Sequence, residues 1–595
     1  MELLRATPPA LTALQRRLVG ITAVAVALTR VWARSRTLWD WDETLFSMGV
    51  REYDVAWHHP HPPGFPLYVA LAKVVRLVVQ SDFHALQAVT TVAAIALFPL
   101  LFWLAYELRF PFRTAFLGSL LFVFLPSVWF YGGTAFSDVS GLALLLGACA
   151  MLLRSCRNRP LYFAGAVLLG CAAAVRPQAL LIGCAPALVA SWCRIRERRW
   201  IDVASASAIG IAVITISYSG AALASSSVES YLDANRGLRE YVRTVDSFLN
   251  PDRQPVRSLF GDFFLREIPG GRVSEIISAL AALSIIISIV KRNASVWLLL
   301  AMFLPFNVFG WFMLDVNSIS RYAVSYAPMY TILAADAFAL VPLLQVAAVA
   351  AIMIRLVWWS VPALREVRQT ASPPVAAMDW IRHNVPRTAK LYVHGSMGPW
   401  SSYMLDGFDT TLVESPAEFP LQPVGAGEWF VTEGSTAAAG AKNFIRERGR
   451  LFDIARRRYF EVSVAPASAM LRFGKGWYGE ESVGASAWRW MSGRSETLLP
   501  PIADHARLTL GFDLPSELVP RHPTVTIELN GQTIDRIVCT TPSISKSWVV
   551  AARADGWNEL VISLDKVINP AKEGISPDAR DLGLNLTSYG WAPSP

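Results

Sequence analysis

The sequence predicts a multispan α-helical membrane protein of about eleven helices, followed by a small soluble α/β unit and a jelly-roll-like β-sandwich. Three observations predict it. Of 595 residues, 53% are hydrophobic and 17% charged, where a soluble domain carries roughly 25% charged residues. The mean hydropathy is +0.37. The apolar residues crowd into positions 18–362, while the rest of the chain has the polarity of a soluble protein. The formal charge of +8 is no sign of nucleic-acid binding, because a multispan protein collects Lys and Arg in its cytoplasmic loops. Of the six cysteines, Cys149, Cys156, Cys171, Cys184 and Cys193 lie in or beside apolar segments and only Cys539 in the soluble part. With no CxxC spacing, neither a disulfide framework nor a zinc site is expected.

A hydrocarbon core of about 30 Å needs roughly 20 apolar residues in a helix. Eleven segments approach this: 18–38, 86–106, 114–131, 139–153, 161–174, 178–193, 200–221, 275–290, 295–314, 321–341 and 345–362. The first follows Arg16 and Arg17 and lacks the small-residue cleavage pattern of a signal peptide. Segment 64–80 is apolar too, but it carries Lys73 and Arg76 and opens in a proline cluster. If it lies at the interface, the loops holding Arg109 and Arg113, Arg154 to Arg159, Arg194 to Arg199, and Lys291 with Arg292 fall on one side. The positive-inside rule makes that side, and the N-terminus, cytoplasmic. Loops 39–85 and 222–274 and the whole C-terminal region are then outside.

The expected domains are 1–362, 363–465 and 466–595. In the second, LYVHG, TTLVE and EWFVTEG read as strands, and NFIRERGRLFDIARRRYF as a charged helix feeding another strand. From 466 onward, ARLTLGFDL, TVTIELNG, SWVVAA and NELVISL alternate apolar and polar residues between Gly, Pro and Asn, the pattern of a sandwich.

The first outer loop is the most informative stretch. Asp40, Asp42 and Glu43 follow the first span directly, and HHPHPPG follows them. Three carboxylates in four residues repel one another unless they bind a cation, take up a proton or sit in water. Histidines held among stiff prolines can donate to phosphate or bind metal.

These residues resemble the GT-C superfamily of integral-membrane glycosyltransferases, in particular the clan of protein O-mannosyltransferases and lipid A aminoarabinose transferases. DWDE at 40–43 is similar to the family's acidic motif, HPHPPGFPLY at 59–68 to its proline stretch, and TAFSDVSG, AAAVRPQAL and SRYAVSYAPMY to later motifs, over roughly residues 1–362. The resemblance implies a GT-C fold with an outward-facing active site in a bacterial inner membrane. It also implies a polyprenyl-phosphate sugar donor and a glycan, lipid or protein acceptor on the periplasmic side.

Glycosyl transfer to a hydroxyl needs a carboxylate within reach to take its proton. Asp42 matches the family's motif Asp and is the expected base, with Glu43 beside it in the catalytic pair. Asp40 is expected to bind substrate or, with Asp42, a divalent cation such as Mg²⁺ or Mn²⁺. The leaving phosphate needs positive charge. Arg176 and Arg321 sit at outer ends of spans, where a buried charge is costly and usually functional, although an arginine there can also snorkel to headgroups. His59 and His61 either share that work or fix their loop. Asp138 either completes the acidic site or caps the following helix. Tyr322, beside Arg321, is grouped with the substrate-binding residues, although packing is its simpler use.

The last domain resembles the carbohydrate-binding-like jelly-rolls of some bacterial surface-glycan enzymes, on GKGWYGEES, ASAWRWM, TVTIELNGQ and RDLGLNL. Trp477, Tyr478, Trp488 and Trp490 either stack on sugars or pack internally. Two other functional classes compete. A lipid-linked-glycan flippase is expected to show repeat symmetry between halves, which this sequence does not show. A non-catalytic glycan-binding scaffold has no use for DWDE.

Overall fold

The structure, a computed structural model, describes residues 7–413, 427–436, 438, 440–455, 459–483, 486–502 and 504–594. Glu414, Arg456, Arg457 and Arg458, which fall in segments read above as strand or helix, and Ala485 of ASAWRWM lie outside them. The chain divides into two compact units, Met1–Val375 with Glu447–Tyr459, and Ala376–Arg446 with Phe460–Pro595.

The first unit is helical: α1 (Ala13–Trp32), α2 (Trp41–Arg51), α3 (Pro66–Val79), α4 (Asp82–Glu107), α5 (Phe112–Val123), α6 (Pro126–Tyr131), α7 (Ser137–Ser155), α8 (Pro160–Val175), α9 (Ala179–Arg196), α10 (Trp200–Leu223), α11 (Val228–Tyr241), α12 (Val256–Phe264), α13 (Val273–Lys291), α14 (Ala294–Met313), α15 (Ile319–Asp336) and α16 (Pro342–Gln369). Each of the eleven expected segments contains helix, although that of 18–38 ends at Trp32 and that of 321–341 at Asp336. Among the described residues, seven helices are long and apolar enough to cross a membrane: α4, α7, α9, α10, α13, α14 and the run that begins with α16. The others differ for local reasons. Arg16, Arg17 and Arg30 charge α1, and Arg321 and Asp336 lie in α15. Pro160–Val175 has 16 residues. Segment 114–131 is two helices, because Pro126 drives Leu125 into an extended conformation (φ −59°, ψ 137°) and starts a new helix.

Helix α3 is short. Its 14 residues span about 21 Å, short of the core thickness. Leu71, Val74, Leu77 and Val78 form an exposed apolar stripe along it, as an interfacial helix requires. Arg51 at the end of α2 and Arg76 of α3 both pair with Asp82 at the start of α4, so α2, the end of α3 and the start of α4 share one end of the bundle. At the other end Glu107 takes Arg154 and Arg157, which places two of the arginine-rich loops together.

Two capping boxes start the helices that frame the site. Thr12 and Gln15 cap α1 reciprocally. Asp40 and Glu43 do the same for α2, so the spacing D-x-x-E is a helix-start signature as well as an acidic motif. Close approaches then fix the loops. A Cβ on Gly49 of α2 would lie 2.6 Å from Pro60 Cδ, and one on Gly133 would lie 2.4 Å from the Ala33 carbonyl oxygen.

In the second unit, β1 (Lys390–His394), β2 (Asp409–Val413), β3 (Trp429–Glu433), β4 (Lys442–Ile445) and β5 (Glu461–Pro466) form a mixed sheet in the order β2-β1-β3-β5-β4. The charged helix expected over 443–460 is not formed. Its start is β4, paired antiparallel with β5, and Gly449–Ile454 is a short helix that belongs to the first unit. Two further five-stranded sheets follow, built from β6 (Arg472–Phe473), β7 (Trp477–Val483), β8 (Ser486–Met491), β9 (Arg494–Leu499), β10 (His505–Asp513), β11 (Thr524–Leu529), β12 (Gln532–Val538), β13 (Ser543–Ala551), β14 (Asn558–Leu564) and β15 (Asn585–Pro593). Their orders are β13-β10-β15-β8-β7 and β12-β11-β14-β9-β6. They share one core, with Leu508, Leu510 and Phe512 from the first and Val525, Ile527 and Ile562 from the second, which makes a sandwich. Trp477 packs on Phe473 and donates to Thr497 Oγ1 at 2.9 Å, and Trp488 donates to Glu481. These contacts are internal to the sandwich.

Candidate active site

Asp42, Asp138, Arg176 and Arg321 converge at one end of the first unit. Asp138 lies in the first turn of α7, Arg176 caps the C-terminus of α8, and Arg321 is in the first turn of α15. Arg321 donates from Nη1 to Asp42 Oδ2 at 2.6 Å and from Nε to Asp138 Oδ2 at 3.1 Å. Arg176 donates to the same Asp138 oxygen at 2.6 Å and to Ser137 Oγ at 3.1 Å. The four side chains form one alternating chain of charge. Asp138 therefore bridges two arginines rather than capping its helix, whose N-cap is Phe136.

The support beneath is specific. The Arg321 guanidinium lies over the Phe136 ring, 4.3 Å from its centroid. The Phe136 carbonyl accepts from Thr90 Oγ1 at 3.0 Å, and Tyr68 donates to Thr90 at 2.9 Å. Helices α3 and α4 thus hold the loop on which Arg321 rests.

A cavity of about 780 Å³ opens over Asp42, Arg321, Asp40, His58 and His61. Asp42 is the exposed end of the charge chain, its side chain 24% accessible against 1% for Asp138. Its second oxygen faces His61 Nδ1 at 3.8 Å, and that nitrogen has no hydrogen-bond partner among the described residues. The His61 ring is wedged edge-on between Phe46 and Phe65. Burial opposes the charge on Asp42, but neighbouring positive charge, from His61 only while it is protonated and from Arg321 throughout, outweighs it and holds the carboxyl below its usual range. Burial lowers His61 to about 4, so near neutrality it is an uncharged imidazole and Arg321 is the cation that keeps Asp42 ionised.

The remaining expected residues fall elsewhere. Glu43, expected in the catalytic pair, is fully buried and outside the cavity wall. Its Oε2 accepts from the Trp39 and Asp40 amides at 2.7 and 3.1 Å, and its Oε1 from the Ala135 amide at 2.9 Å. It ties α2 to the loop before α7 and is a positioning residue. Asp40 lines the cavity, but its carboxylate accepts from the Asp42 amide at 2.7 Å. His59 pairs with Asp54 through two backbone hydrogen bonds of 2.8 Å and is off the wall, where His58 takes its place. Arg176 and Tyr322 line a separate crevice of about 20 Å³ with Asp138, behind the charge chain.

The donors do not fit a divalent cation on Asp40 and Asp42. Asp40 caps a helix, one oxygen of Asp42 is held by a guanidinium, and Asp138 is taken by two. No three His, Cys, Asp or Glu side chains are grouped for a metal among the described residues.

Sequence reasoning missed Ala234, Gly237, Leu238 and Tyr241 of α11, which form one side of the cavity. Their i, i+3, i+4, i+7 spacing was the available signal. It missed Ala455 and Tyr459 as well, for which no signal existed. They arrive because Ser320 Oγ donates to the Ile454 carbonyl at 2.5 Å and Tyr131 Oη at 3.4 Å.

No family model matches the chain, and no curated protein matches it in sequence. Among solved structures, ArnT from Cupriavidus metallidurans in the apo state is similar over 76% of this chain and 98% of that one, at 13% identity and a TM-score of 0.46. The same protein bound to undecaprenyl phosphate covers 75% and 97%, at 11% identity and 0.44. The archaeal oligosaccharyltransferase AglB from Archaeoglobus fulgidus, in complex with an inhibitory peptide and a dolichol-phosphate, covers 67% of this chain, at 11% identity and 0.42. The chain spans 65% of AglB's length, less than two thirds.

Proposed function

We propose that this protein is a GT-C-type membrane glycosyltransferase that moves a sugar from a polyprenyl-phosphate donor to an acceptor hydroxyl on the periplasmic side of a bacterial inner membrane. The observation that carries this reading is the Asp42–Arg321 pair on the wall of a large cavity at one end of a helical bundle. Asp42 is ionised and has one oxygen free of Arg321, so it can accept the proton of an incoming hydroxyl as the anomeric carbon loses its bond to phosphate. Arg321 lines the same cavity and can stabilise the phosphate, whose charge rises as it leaves. The positive charge in this reading is arginine rather than Mg²⁺ or Mn²⁺.

An apolar groove of about 320 Å³ runs between α3 and α10, lined by Leu67, Val69, Ile216 and Ala221 with Lys73 and Tyr53 at its wall. It suits a lipid chain whose phosphate lies near a lysine. The test is to incubate the purified protein in nanodiscs with a panel of polyprenyl-phosphate sugars and follow free polyprenyl phosphate. Release from one donor, dependent on Asp42, supports the reading. Movement of lipid-linked sugar across proteoliposomes without release would make the protein a flippase instead.

A further inference from the structure

Helix α11 forms one side of the large cavity with residues that the Asp42–Arg321 pair does not use. Ala234, Gly237, Leu238 and Tyr241 line it, and all four are uncharged. The charges along this stretch are satisfied locally, Asp233 by Arg236 and Glu240 by Arg243, each at 2.6 Å. Gly237 lies inside the helix, which runs from Val228 to Tyr241. Its φ is outside the left-handed region, and a Cβ there would meet nothing within 4 Å. Neither a turn nor a packed neighbour requires glycine at this position, and glycine weakens a helix interior relative to alanine. What it supplies is bare backbone on a cavity wall, where a ligand can approach closely.

Tyr241 stands one turn further along the same side. It is 45% exposed, and no side-chain hydrogen bond or ring contact holds it among the described residues. Asn317 lines the same cavity. It is exposed, and its side-chain amide has no hydrogen bond among the described residues. Together these residues offer a bare floor, an aromatic face and an amide that both donates and accepts. A sugar ring matches that set, with a face of C–H groups for the aromatic ring and hydroxyls at its edge for the amide. A phosphate or an ammonium group finds no opposite charge among the α11 residues of the wall. Gly237 and Tyr241 are exposed, while the side chains of Asp42 and Arg321 are 24% and 11% accessible. Helix α11 is therefore the open side of the cavity, from which an acceptor enters.

We propose that α11 is the platform for a saccharide acceptor. A neutral sugar ring lies against the bare backbone at Gly237, Tyr241 stacks on its face, and Asn317 bonds to a hydroxyl at its edge. The proposal rests on the glycosyltransferase reading and narrows its acceptor from any hydroxyl to that of a glycan. A ring seated there turns another of its hydroxyls toward Asp42 on the wall of the same cavity. Gly237 and Tyr241 are then residues that select the acceptor, while Asp42 and Arg321 carry the chemistry.

The experiment uses the full chain in nanodiscs and reads saturation-transfer NMR with methyl glycosides of glucose, mannose, galactose and N-acetylglucosamine. The peptide acetyl-Gly-Ser-Gly-Thr-amide is the contrast for a protein acceptor. At least one glycoside should bind saturably, and Tyr241→Ala should weaken it about tenfold, the scale of one aromatic contact. Tyr241→Phe keeps the ring and should restore binding. Gly237→Leu should abolish binding while melting no lower than the wild-type protein, because leucine is a better helix former and the space is open. Binding should persist with saturating undecaprenyl-phosphate glucose or mannose; displacement by either would make the ring the donor's own. That result would overturn the platform, as would absence of glycoside binding, preference for the peptide, unchanged affinity in Tyr241→Ala, or a lower melting temperature in Gly237→Leu. If glycosides bind as expected but no donor is turned over, the platform stands and the transferase reading fails. If donor is turned over but no glycoside binds, the platform alone fails.

Discussion

Arg321 and Asp42 are separated by 279 positions in the chain and by 2.6 Å in the fold. The same guanidinium reaches Asp138 through Nε, so a single side chain on α15 fixes one carboxylate that faces the cavity and one that is buried behind it. That arrangement sets what each substitution should do.

Asp42→Asn should abolish transfer while donor binding persists, because the amide cannot take the hydroxyl's proton. The expected loss is about 10²- to 10⁴-fold in turnover, the range of general-base catalysis. Single-turnover assays with donor binding measured in parallel check it. Near wild-type turnover in the folded variant would move the base elsewhere.

Arg321→Lys should keep a charge near Asp42 but lose the planar fork that spans two carboxylates, so both donor KM and stability should worsen. Arg321→Ala should be worse, since removing one partner of a buried pair costs about 3–5 kcal/mol. Combining Arg321→Ala with Asp42→Asn should recover part of the stability but none of the activity. Melting temperatures of the single and double variants give the comparison.

Glu43 should give the first unit a pH-dependent stability. Burial raises its carboxyl from the ordinary 4.5 to about 7. A group raised on folding contributes its full stability below its unfolded value and loses it as pH climbs through the folded one. The protein should therefore lose stability between about pH 4.5 and 7, and Glu43→Gln should flatten that slope. The variant should also lower stability at all pH values, since Gln can accept with only one atom where three amides now bond. A series of melting curves at pH 4.5, 5.5, 6.5 and 7.5 tests both statements, and an unchanged slope in the variant would assign the effect to another group.

Chelation should leave turnover intact. The cavity's carboxylates are held by Arg321, Arg176 and a helix start, so EDTA treatment followed by gel filtration should cost less than about twofold. Loss of activity restored by Mn²⁺ or Mg²⁺ would mean that Asp42 trades Arg321 for a metal when substrate binds.

Cysteines placed on α3 test the topology. Val78→Cys, exposed on the apolar stripe, and Lys73→Cys should both react with a membrane-impermeant reagent from the outer side or be shielded by lipid, and neither should react from the cytoplasm. Labelling of either one from the cytoplasm would make α3 a span and invert everything after it.

Composition and hydropathy alone located the apolar, helical part of this chain. Lipid leaves a helix no option but to be apolar for most of its length, so 53% hydrophobic content concentrated in one part of the sequence is enough to locate the bundle, and β10, β11 and β14 of the sandwich showed in their alternation for the same reason of burial on one face. The acidic motif was legible as an acidic motif. Its division of labour was not, because Asp40, Asp42 and Glu43 differ only in direction: one turn of helix α2 aims Asp42 at the cavity, turns Asp40 onto a backbone amide and buries Glu43 against Ala135. Only the tertiary structure decided that Arg321 is the partner of Asp42, that Arg176 stands one carboxylate further back, and that Ala455 and Tyr459 reach the same cavity. These depend on contacts between residues from 38 to 279 positions apart, and a sequence carries no local pattern for a contact whose two halves acquire meaning only when the helices that bear them are packed.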